Sequence, residues 1–173
     1  MGVRNYLIDG ISGAGKTTVA EELQRRGYDV VHGDRVLAYI GDPVTGEALD
    51  GPPEDVADPI AWNYDHWIWP VEKVRSLIAD HGHPVTFFCG GSQNSARYID
   101  LFDGVFVLQV DRDTLGRRLD KRPDDEFGGK RTEQDFVLRL HASGNCLVAS
   151  GIAINAAGSP SIIVDEILAK SST

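Results

Sequence analysis

The 173 residues are enough for one compact domain with a substantial core, and the mix of 42% hydrophobic and 25% charged residues excludes a largely disordered chain. The 26 acidic residues outnumber the 17 basic ones, and a net charge of −9 disfavours binding to a nucleic-acid backbone, although local cations could still hold a small anionic ligand. No apolar run approaches the roughly 20 residues of a membrane span, and no signal-peptide pattern is visible. We therefore expect a cytoplasmic protein with neither membrane nor nucleic-acid partners.

Short apolar runs alternate with amphipathic stretches along the chain, which predicts a parallel sheet flanked by helices. The five predicted strands cover residues 6–9 (or from Val3), 28–31, 84–89, 104–110 and 152–154. The predicted helices cover residues 15–26, 35–40, 62–79 and 111–121, a segment that starts at Thr132 with Asp135 as its capping-box partner, and a last segment that opens with Ser159 and Pro160. Residues 41–60 are rich in Gly, Pro and acid and are expected to form an ordered loop or a mobile flap.

The two cysteines, Cys89 and Cys146, have neither CxxC spacing nor a nearby pair of metal ligands. The pattern predicts no zinc site and favours a reducing compartment, while a single bridge between the two remains an alternative.

Residues 10–17 read Gly-Ile-Ser-Gly-Ala-Gly-Lys-Thr and match the phosphate-loop pattern G-x-x-x-x-G-K-[ST] at every fixed position. The motif follows a predicted strand and opens a predicted helix, so backbone N–H groups and the positive helix end can converge on one phosphate. Lys16 is expected to reach the β- and γ-phosphates, and the Thr17 hydroxyl to ligate Mg²⁺. The alternative is a glycine-rich turn without a ligand. The expected nucleotide-binding residues of this segment are Gly10, Ser12, Gly13, Ala14, Gly15, Lys16, Thr17 and Thr18.

With this motif and its layout, the chain resembles the nucleoside-monophosphate kinase and shikimate kinase group of small P-loop kinases. The similarity extends over nearly the whole chain, but only the phosphate loop is sharp. The resemblance implies an α/β fold of the P-loop NTPase type, a three-layer sandwich whose five-stranded parallel sheet has the order 2-3-1-4-5. It also implies one kinase domain over residues 1–173, requirements for ATP and Mg²⁺, an acceptor lobe at about 35–80 and a lid at about 118–131.

Two short segments sit where such kinases meet the phosphoryl acceptor. Asp34 and Arg35 follow the second predicted strand, and a carboxylate there could orient an acceptor hydroxyl and take its proton. A plain helix cap is the alternative for Asp34. Gly90 and Gly91 follow the third predicted strand, where they either allow close approach of a substrate or simply form a tight turn.

Basic residues surround the predicted lid. Arg118 and Arg122 are four residues apart and share a helix face, as expected for cations that stabilise a transferring phosphoryl group. Arg131 is a further candidate for the acceptor site, and the alternative is a solvated face paired with nearby acids. The resemblance also implies a backbone loop around adenine after the last strand, beginning at Asn155.

All three tryptophans of the chain lie within residues 62–69, in the predicted acceptor lobe. Their neighbours Tyr64, Asp65 and His66 are candidate acceptor-binding residues, because aromatic rings can cover a base or sugar and polar groups can bond its hydroxyls. Packing of the lobe onto the sheet is the alternative, and it is favoured for Trp62 and Trp69.

The chain departs from the named kinases in several respects, since it lacks the Asp-x-Asp of shikimate kinases after the second predicted strand, their Phe-Arg-x-x-Glu segment, and the Asp-Gly-Phe-Pro-Arg segment of adenylate kinases. In addition, no Asp or Glu ends the third predicted strand, so Asp9 and Asp34 could substitute near Mg²⁺. The leading hypothesis is a kinase that moves the γ-phosphoryl group of ATP to a nucleoside, nucleotide or shikimate-like hydroxyl. The alternative is a non-catalytic or regulatory nucleotide-binding protein. The sequence does not indicate an oligomeric state.

Overall fold

Five parallel strands form the main sheet of the computed structural model, which describes residues 3–144 and 150–171. In chain order the elements are β1 (Arg4–Gly10), α1 (Lys16–Arg25), β2 (Asp29–His32), α2 (Gly33–Val36), β3 (Tyr39–Ile40), α3 (Pro59–Asp65), β4 (Trp67–Ile68), α4 (Val71–Ile78), β5 (Val85–Cys89), β6 (Gly104–Gln109), α5 (Arg112–Leu119), α6 (Arg131–Ser143), β7 (Ile152–Asn155) and α7 (Pro160–Ser171). The sheet order is β2-β5-β1-β6-β7. Counted among the five parallel strands alone, this is the expected order 2-3-1-4-5.

Alternate residues of the central strand enter two separate cores, as the two-residue period of a strand requires. Tyr6 and Ile8 pack with α1, α5, α6 and α7 on one face, whereas Leu7 packs on the other face with Trp69 and with Val74 of α4. Both faces of the sheet are therefore covered, and the predicted three-layer sandwich is confirmed. Among the described residues, no helix is long and apolar enough to cross a membrane.

The prediction of a single helix over residues 62–79 is wrong. The structure has α3 and α4 there, separated by β4, whose residues Trp67 and Ile68 pair antiparallel with β3. His66 caps the C-terminus of α3, and Pro70 stands immediately before α4. A proline cannot continue a helix from the residues that precede it, so α4 is a separate helix. The helical spacing of Val71, Val74 and Ile78 is real, but it belongs to α4 alone.

Smaller corrections concern two helix boundaries. The helix predicted at residues 35–40 is α2, which begins earlier and gives way to β3. The capping box of Thr132 does not form, since α6 begins at Arg131 and Asp135 pairs instead with the Arg131 side chain (Nε to Oδ1, 3.4 Å). Cys89 is buried and free, and the bridge considered with Cys146 involves a residue outside the described ranges.

Candidate active site

The phosphate loop connects β1 to α1 at the carboxyl edge of the sheet. Gly13 (φ 87°) and Gly15 (φ 108°) adopt left-handed backbone conformations that favour glycine, and a Cβ on Gly13 would lie 2.8 Å from Leu115 Cδ1. The Ala14 N–H donates to the Ile11 carbonyl (2.9 Å), which closes the turn before the helix. The motif thus has the strand, bend and helix that its sequence predicts.

Lys16 and Asp34 lie next to each other, although 18 positions separate them in the sequence. Lys16 Nζ donates to the Gly10 carbonyl (2.5 Å) and lies 3.9 Å from Asp34 Oδ2. The other carboxylate oxygen, Asp34 Oδ1, accepts from the Gly91 N–H (3.0 Å). The parallel strands β1, β2 and β5 all end here, so the sheet itself brings an ammonium, a carboxylate and a glycine turn to one place.

Gly90 has a packing reason for lacking a side chain. A Cβ there would lie 2.6 Å from Asp34 Oδ1 and 2.7 Å from Trp69 Cζ2. Gly33 makes way for the same indole, which stacks on Tyr98 with ring centroids 5.8 Å apart. The two glycines therefore allow the Trp69 ring to lie close to Asp34.

Asp9 is a buried carboxylate at the end of β1, immediately before the phosphate loop. Oδ1 accepts from the Gly10 N–H (2.7 Å), while Oδ2 has no hydrogen-bond partner among the described residues. Burial raises the pKa of Asp9 to about 7, although the Lys16 ammonium and the Gly10 N–H both act to lower it. The sequence indicated only that Asp9 could lie near Mg²⁺. It did not indicate that the Asp9 carboxyl is buried with one oxygen unpartnered among the described residues.

We expect Asp9→Asn to gain stability relative to the wild type as the pH rises from about 4 to about 7. The folded Asp9 carboxyl has a pKa of about 7 and an unperturbed aspartate carboxyl a pKa of 3.8, so between these values the folded state holds a proton that the unfolded state has lost. The contribution of Asp9 to the free energy of unfolding therefore falls across this window, by about 1.4 kcal/mol for each pKa unit at most. Urea denaturation at about pH 5 and pH 8 measures the effect.

Asp111→Asn is the matched control, because hydrogen bonds from Thr114 hold the pKa of Asp111 below its usual value and its titration lies under this window. Its difference from the wild type should be the same at both pH values. An Asp9→Asn difference that is also independent of pH would contradict the buried, proton-holding carboxyl.

Arg118 and Arg122 project from α5 and its C-terminal extension onto the phosphate loop, as their spacing predicts. Arg118 donates to the Ala14 carbonyl (2.9 Å) and to the Ala156 carbonyl (2.6 Å). Arg122 Nη1 donates to Ser12 Oγ (2.7 Å) and to the Phe127 carbonyl (2.5 Å), so it joins the loop to the predicted lid. Both guanidinium groups thus lie against the backbone that would surround the phosphates.

Thr17 and Thr18 are exposed in the first turn of α1. No cluster of three or more His, Cys, Asp or Glu side chains that could hold a metal exists among residues 3–144 and 150–171. Mg²⁺ usually takes few protein ligands together with nucleotide phosphates and water, and the Thr17 hydroxyl in the first turn of α1 can supply one oxygen ligand of that kind. The residues present therefore fit Mg²⁺ bound with a nucleotide, and not a metal site built from protein alone.

The other predicted site residues are distributed less favourably. Tyr64 packs edge-on against Phe136 (centroids 5.4 Å apart), and His66 stacks on Trp62 with Nδ1 2.7 Å from the Trp62 carbonyl. These contacts lie within the lobe and between α3 and α6. Asp65 and Arg35 are exposed, Arg131 pairs with Asp135 on its own helix, and Asn155 Oδ1 caps the following turn by accepting from the Ala157 N–H (3.0 Å).

Asn94 is a buried residue of this region that sequence reasoning missed. Its side chain donates to the Trp69 carbonyl (2.8 Å) and accepts from the Trp69 N–H (3.1 Å) and from Ser92 Oγ (2.8 Å). The amide thus bonds both backbone groups of Trp69 and fixes the indole beneath the site. The only sequence signal was an amide closely following the Gly90–Gly91 turn.

We expect Asn94→Ala to lower the free energy of unfolding by about 2 kcal/mol, because it leaves two buried backbone groups of Trp69 without partners. Urea denaturation with the wild type in parallel measures the change. The tryptophan fluorescence of the folded variant reports whether the Trp69 environment has changed. A loss well under ~0.5 kcal/mol would mean that Trp69 is held by its ring packing alone.

The chain resembles known proteins both in sequence and in structure. Residues 7–137 match the family model described as an AAA domain. A search of curated protein sequences gave no significant match. Among solved structures, a shikimate kinase from Bacteroides thetaiotaomicron is similar with a TM-score of 0.59 and 14% identity, covering 98% of this chain and 99% of that one.

Two further solved structures have comparable similarity. A sugar kinase from a Janibacter species gives a TM-score of 0.54 at 20% identity, with 96% of this chain and 93% of that chain covered. A gluconokinase from Sinorhizobium meliloti gives 0.53 at 19% identity, with 96% and 90% covered. At these identities the likeness establishes the fold, and it confirms the expected resemblance to small P-loop kinases at that level.

Proposed function

Because the chain belongs to the AAA-domain family, whose model covers its phosphate loop, we propose that it is an ATP- and Mg²⁺-dependent kinase. It would transfer the γ-phosphoryl group of ATP to a small-molecule acceptor, a nucleoside, a nucleotide or a shikimate-like hydroxyl. The observation that carries this proposal is the convergence of Lys16, Asp34 and the Gly91 N–H beside the phosphate loop. A carboxylate in that position suits an acceptor hydroxyl, which a kinase must orient and deprotonate.

Phosphoryl transfer depends mainly on positioned positive charge, since little covalent chemistry is left to the protein. Lys16 would move from the Gly10 carbonyl to the outer phosphates, and Arg118 and Arg122 would stabilise the charge on the transferring group. Thr17 would hold Mg²⁺, which supplies charge neutralisation when bound. Asp34, 3.9 Å from the ammonium, would orient the acceptor hydroxyl and take its proton.

We propose further that the single domain has an acceptor lobe at about 35–80 and a lid at about 118–131. The bond from Arg122 to Ser12 supports the lid, because it places the 120–130 segment against the phosphate loop. The candidate acceptor contacts remain Arg35, Tyr64, Asp65, His66, Gly90, Gly91 and Arg131. The support is stronger for the two glycines, which border Asp34, than for Arg131, which is engaged on its own helix.

The test is a two-stage binding and transfer experiment. Calorimetry with Mg²⁺ should detect ATP binding, and a panel of nucleosides, nucleotides, sugars and sugar acids should then reveal ATP-dependent phosphorylation of one acceptor. A regulatory NTPase would hydrolyse ATP at a rate that no acceptor changes. If neither ATP nor GTP binds to the folded protein, the proposed function is wrong.

A further inference from the structure

Three buried polar atoms on the acceptor side of the site lack hydrogen-bond partners within the described residues. They are Asp9 Oδ2, Trp69 Nε1 and Gln93 Nε2. Buried polar groups are nearly always bonded, so each of these atoms calls for a partner that is not part of the described chain. A fourth such atom, Asn5 Oδ1, lies near the opposite end of β1 and does not belong to this group.

The residues that carry these atoms belong to segments that meet around the Gly90 turn. The Trp69 indole and Asp34 Oδ1 both approach the position that a Gly90 Cβ would occupy. Asp9 follows Ile8, whose carbonyl accepts from the Gly90 N–H (3.0 Å), and its charge interacts with those of Lys16 and Asp34. The Gln93 N–H donates to the Trp67 carbonyl (2.8 Å), which anchors Gln93 to β4. The Trp69 ring and the Asp9 carboxyl therefore lie close to the carboxylate that would meet the acceptor, and Gln93 follows the same turn.

The charge of this region disfavours an anionic acceptor. It contains two carboxylates, Asp9 and Asp34, against the single ammonium of Lys16. Arg97 donates instead to the Val44 carbonyl (3.1 Å), and the exposed Arg35 is the nearby cation that could attract an anion. Placing a phosphate or carboxylate beside a buried carboxyl adds electrostatic repulsion that only protonation could relieve.

A hydroxyl suits the same surroundings without that cost. It can donate to a carboxylate or accept from a protonated carboxyl, so it bonds Asp9 in either form. It also accepts from the indole and amide N–H groups, and the aromatic body of Trp69 matches the apolar face of a ring.

We propose that Asp9, Trp69 and Gln93 form the inner wall of the acceptor site, and that the acceptor is an uncharged, hydroxyl-rich ring. This chemistry is shared by sugars and nucleosides, and the inference rests on the kinase function proposed above. Asp9 and Trp69 have almost no exposed surface, so the acceptor reaches them only when the side chains that cover them move aside.

Matched pairs of acceptors test the charge preference. ATP-dependent phosphorylation is measured for ribose and ribose 5-phosphate, for nucleosides and their 5′-monophosphates, and for glucose and gluconate. The uncharged member of the productive pair should have at least a tenfold higher kcat/KM, and the pair concerned distinguishes a sugar from a nucleoside. A preference for the anionic member, or no transfer to any member while ATP still binds, overturns the inference.

Trp69→Phe tests the wall itself, because it removes Nε1 and keeps an aromatic ring. We expect the acceptor KM to rise about tenfold, the effect of one lost hydrogen bond, with the KM for ATP unchanged. Trp67→Phe is the matched control, since its indole nitrogen is not among the unpartnered atoms and the acceptor KM should stay the same.

Gln93→Leu removes the second donor at nearly constant volume and serves if Trp69→Phe fails to fold. An unchanged acceptor KM in the folded variants overturns the inner wall, while ATP binding by calorimetry keeps that failure distinct from a failure of the kinase function. A loss of ATP binding by the wild-type protein would instead refute the kinase function itself.

Discussion

Lys16→Ala should lower kcat by at least ~10²-fold, the loss seen when a single stabiliser of transition-state charge is removed. The ammonium is already positioned for that role, because it bonds the first carbonyl of the phosphate loop and lies 3.9 Å from Asp34 Oδ2. Its removal also leaves Asp9 and Asp34 without the cation between them. We therefore expect weaker ATP binding together with the slower turnover.

Initial rates at saturating ATP and acceptor measure the change in kcat. Lys73→Ala is the control, since Lys73 is an exposed residue of α4, and the kcat of this variant should equal that of the wild type. Circular dichroism confirms that both variants fold. Turnover by Lys16→Ala at the wild-type rate would refute the role given to the ammonium.

Asp34→Asn should slow phosphoryl transfer by ~10²- to 10⁴-fold, the usual range for a general base, while ATP binding stays within about threefold of the wild type. The amide keeps an oxygen that can accept from the Gly91 N–H, so the turn after β5 should be preserved. What is lost is the negative charge that orients the acceptor hydroxyl and receives its proton.

The separation of binding from transfer is the decisive measurement for Asp34. Calorimetry gives the ATP affinity, and single-turnover kinetics give the transfer rate. Asp100→Asn, which changes an exposed aspartate within the short 3₁₀ helix Ile99–Leu101, should change neither quantity. If ATP affinity and transfer fall together in Asp34→Asn, Asp34 is a structural residue at the start of α2 and not a base.

The backbone and helix features that were predicted correctly depend on local sequence. The phosphate loop is a contiguous motif whose glycines fix its backbone, so residues 10–17 predict their own conformation. Arg118 and Arg122 are four positions apart on one helical turn, and their shared direction follows from that spacing. Strand order came from the resemblance to the kinase group and was not contained in the strand patterns themselves.

The parts that were missed depend on contacts between distant segments. The pairing of Trp67–Ile68 with Tyr39–Ile40 divides the helix predicted over residues 62–79, and nothing in either dipeptide specifies its partner. The amide of Asn94 fixes Trp69 from 25 positions away. Tyr64 and His66 are residue types that are common in binding sites. Tertiary packing nevertheless decides which neighbours their rings contact.

The two hydrogen bonds of Arg118 connect the phosphate loop to the turn before α7. One guanidinium group spans from Ala14, before α1, to Ala156, after the last strand. A change in length or sequence of the short turn before α7 would therefore displace Ala156 and, through a single side chain, shift the backbone at Ala14. Engineering or natural variation in that remote turn should consequently alter nucleotide affinity without touching the phosphate loop.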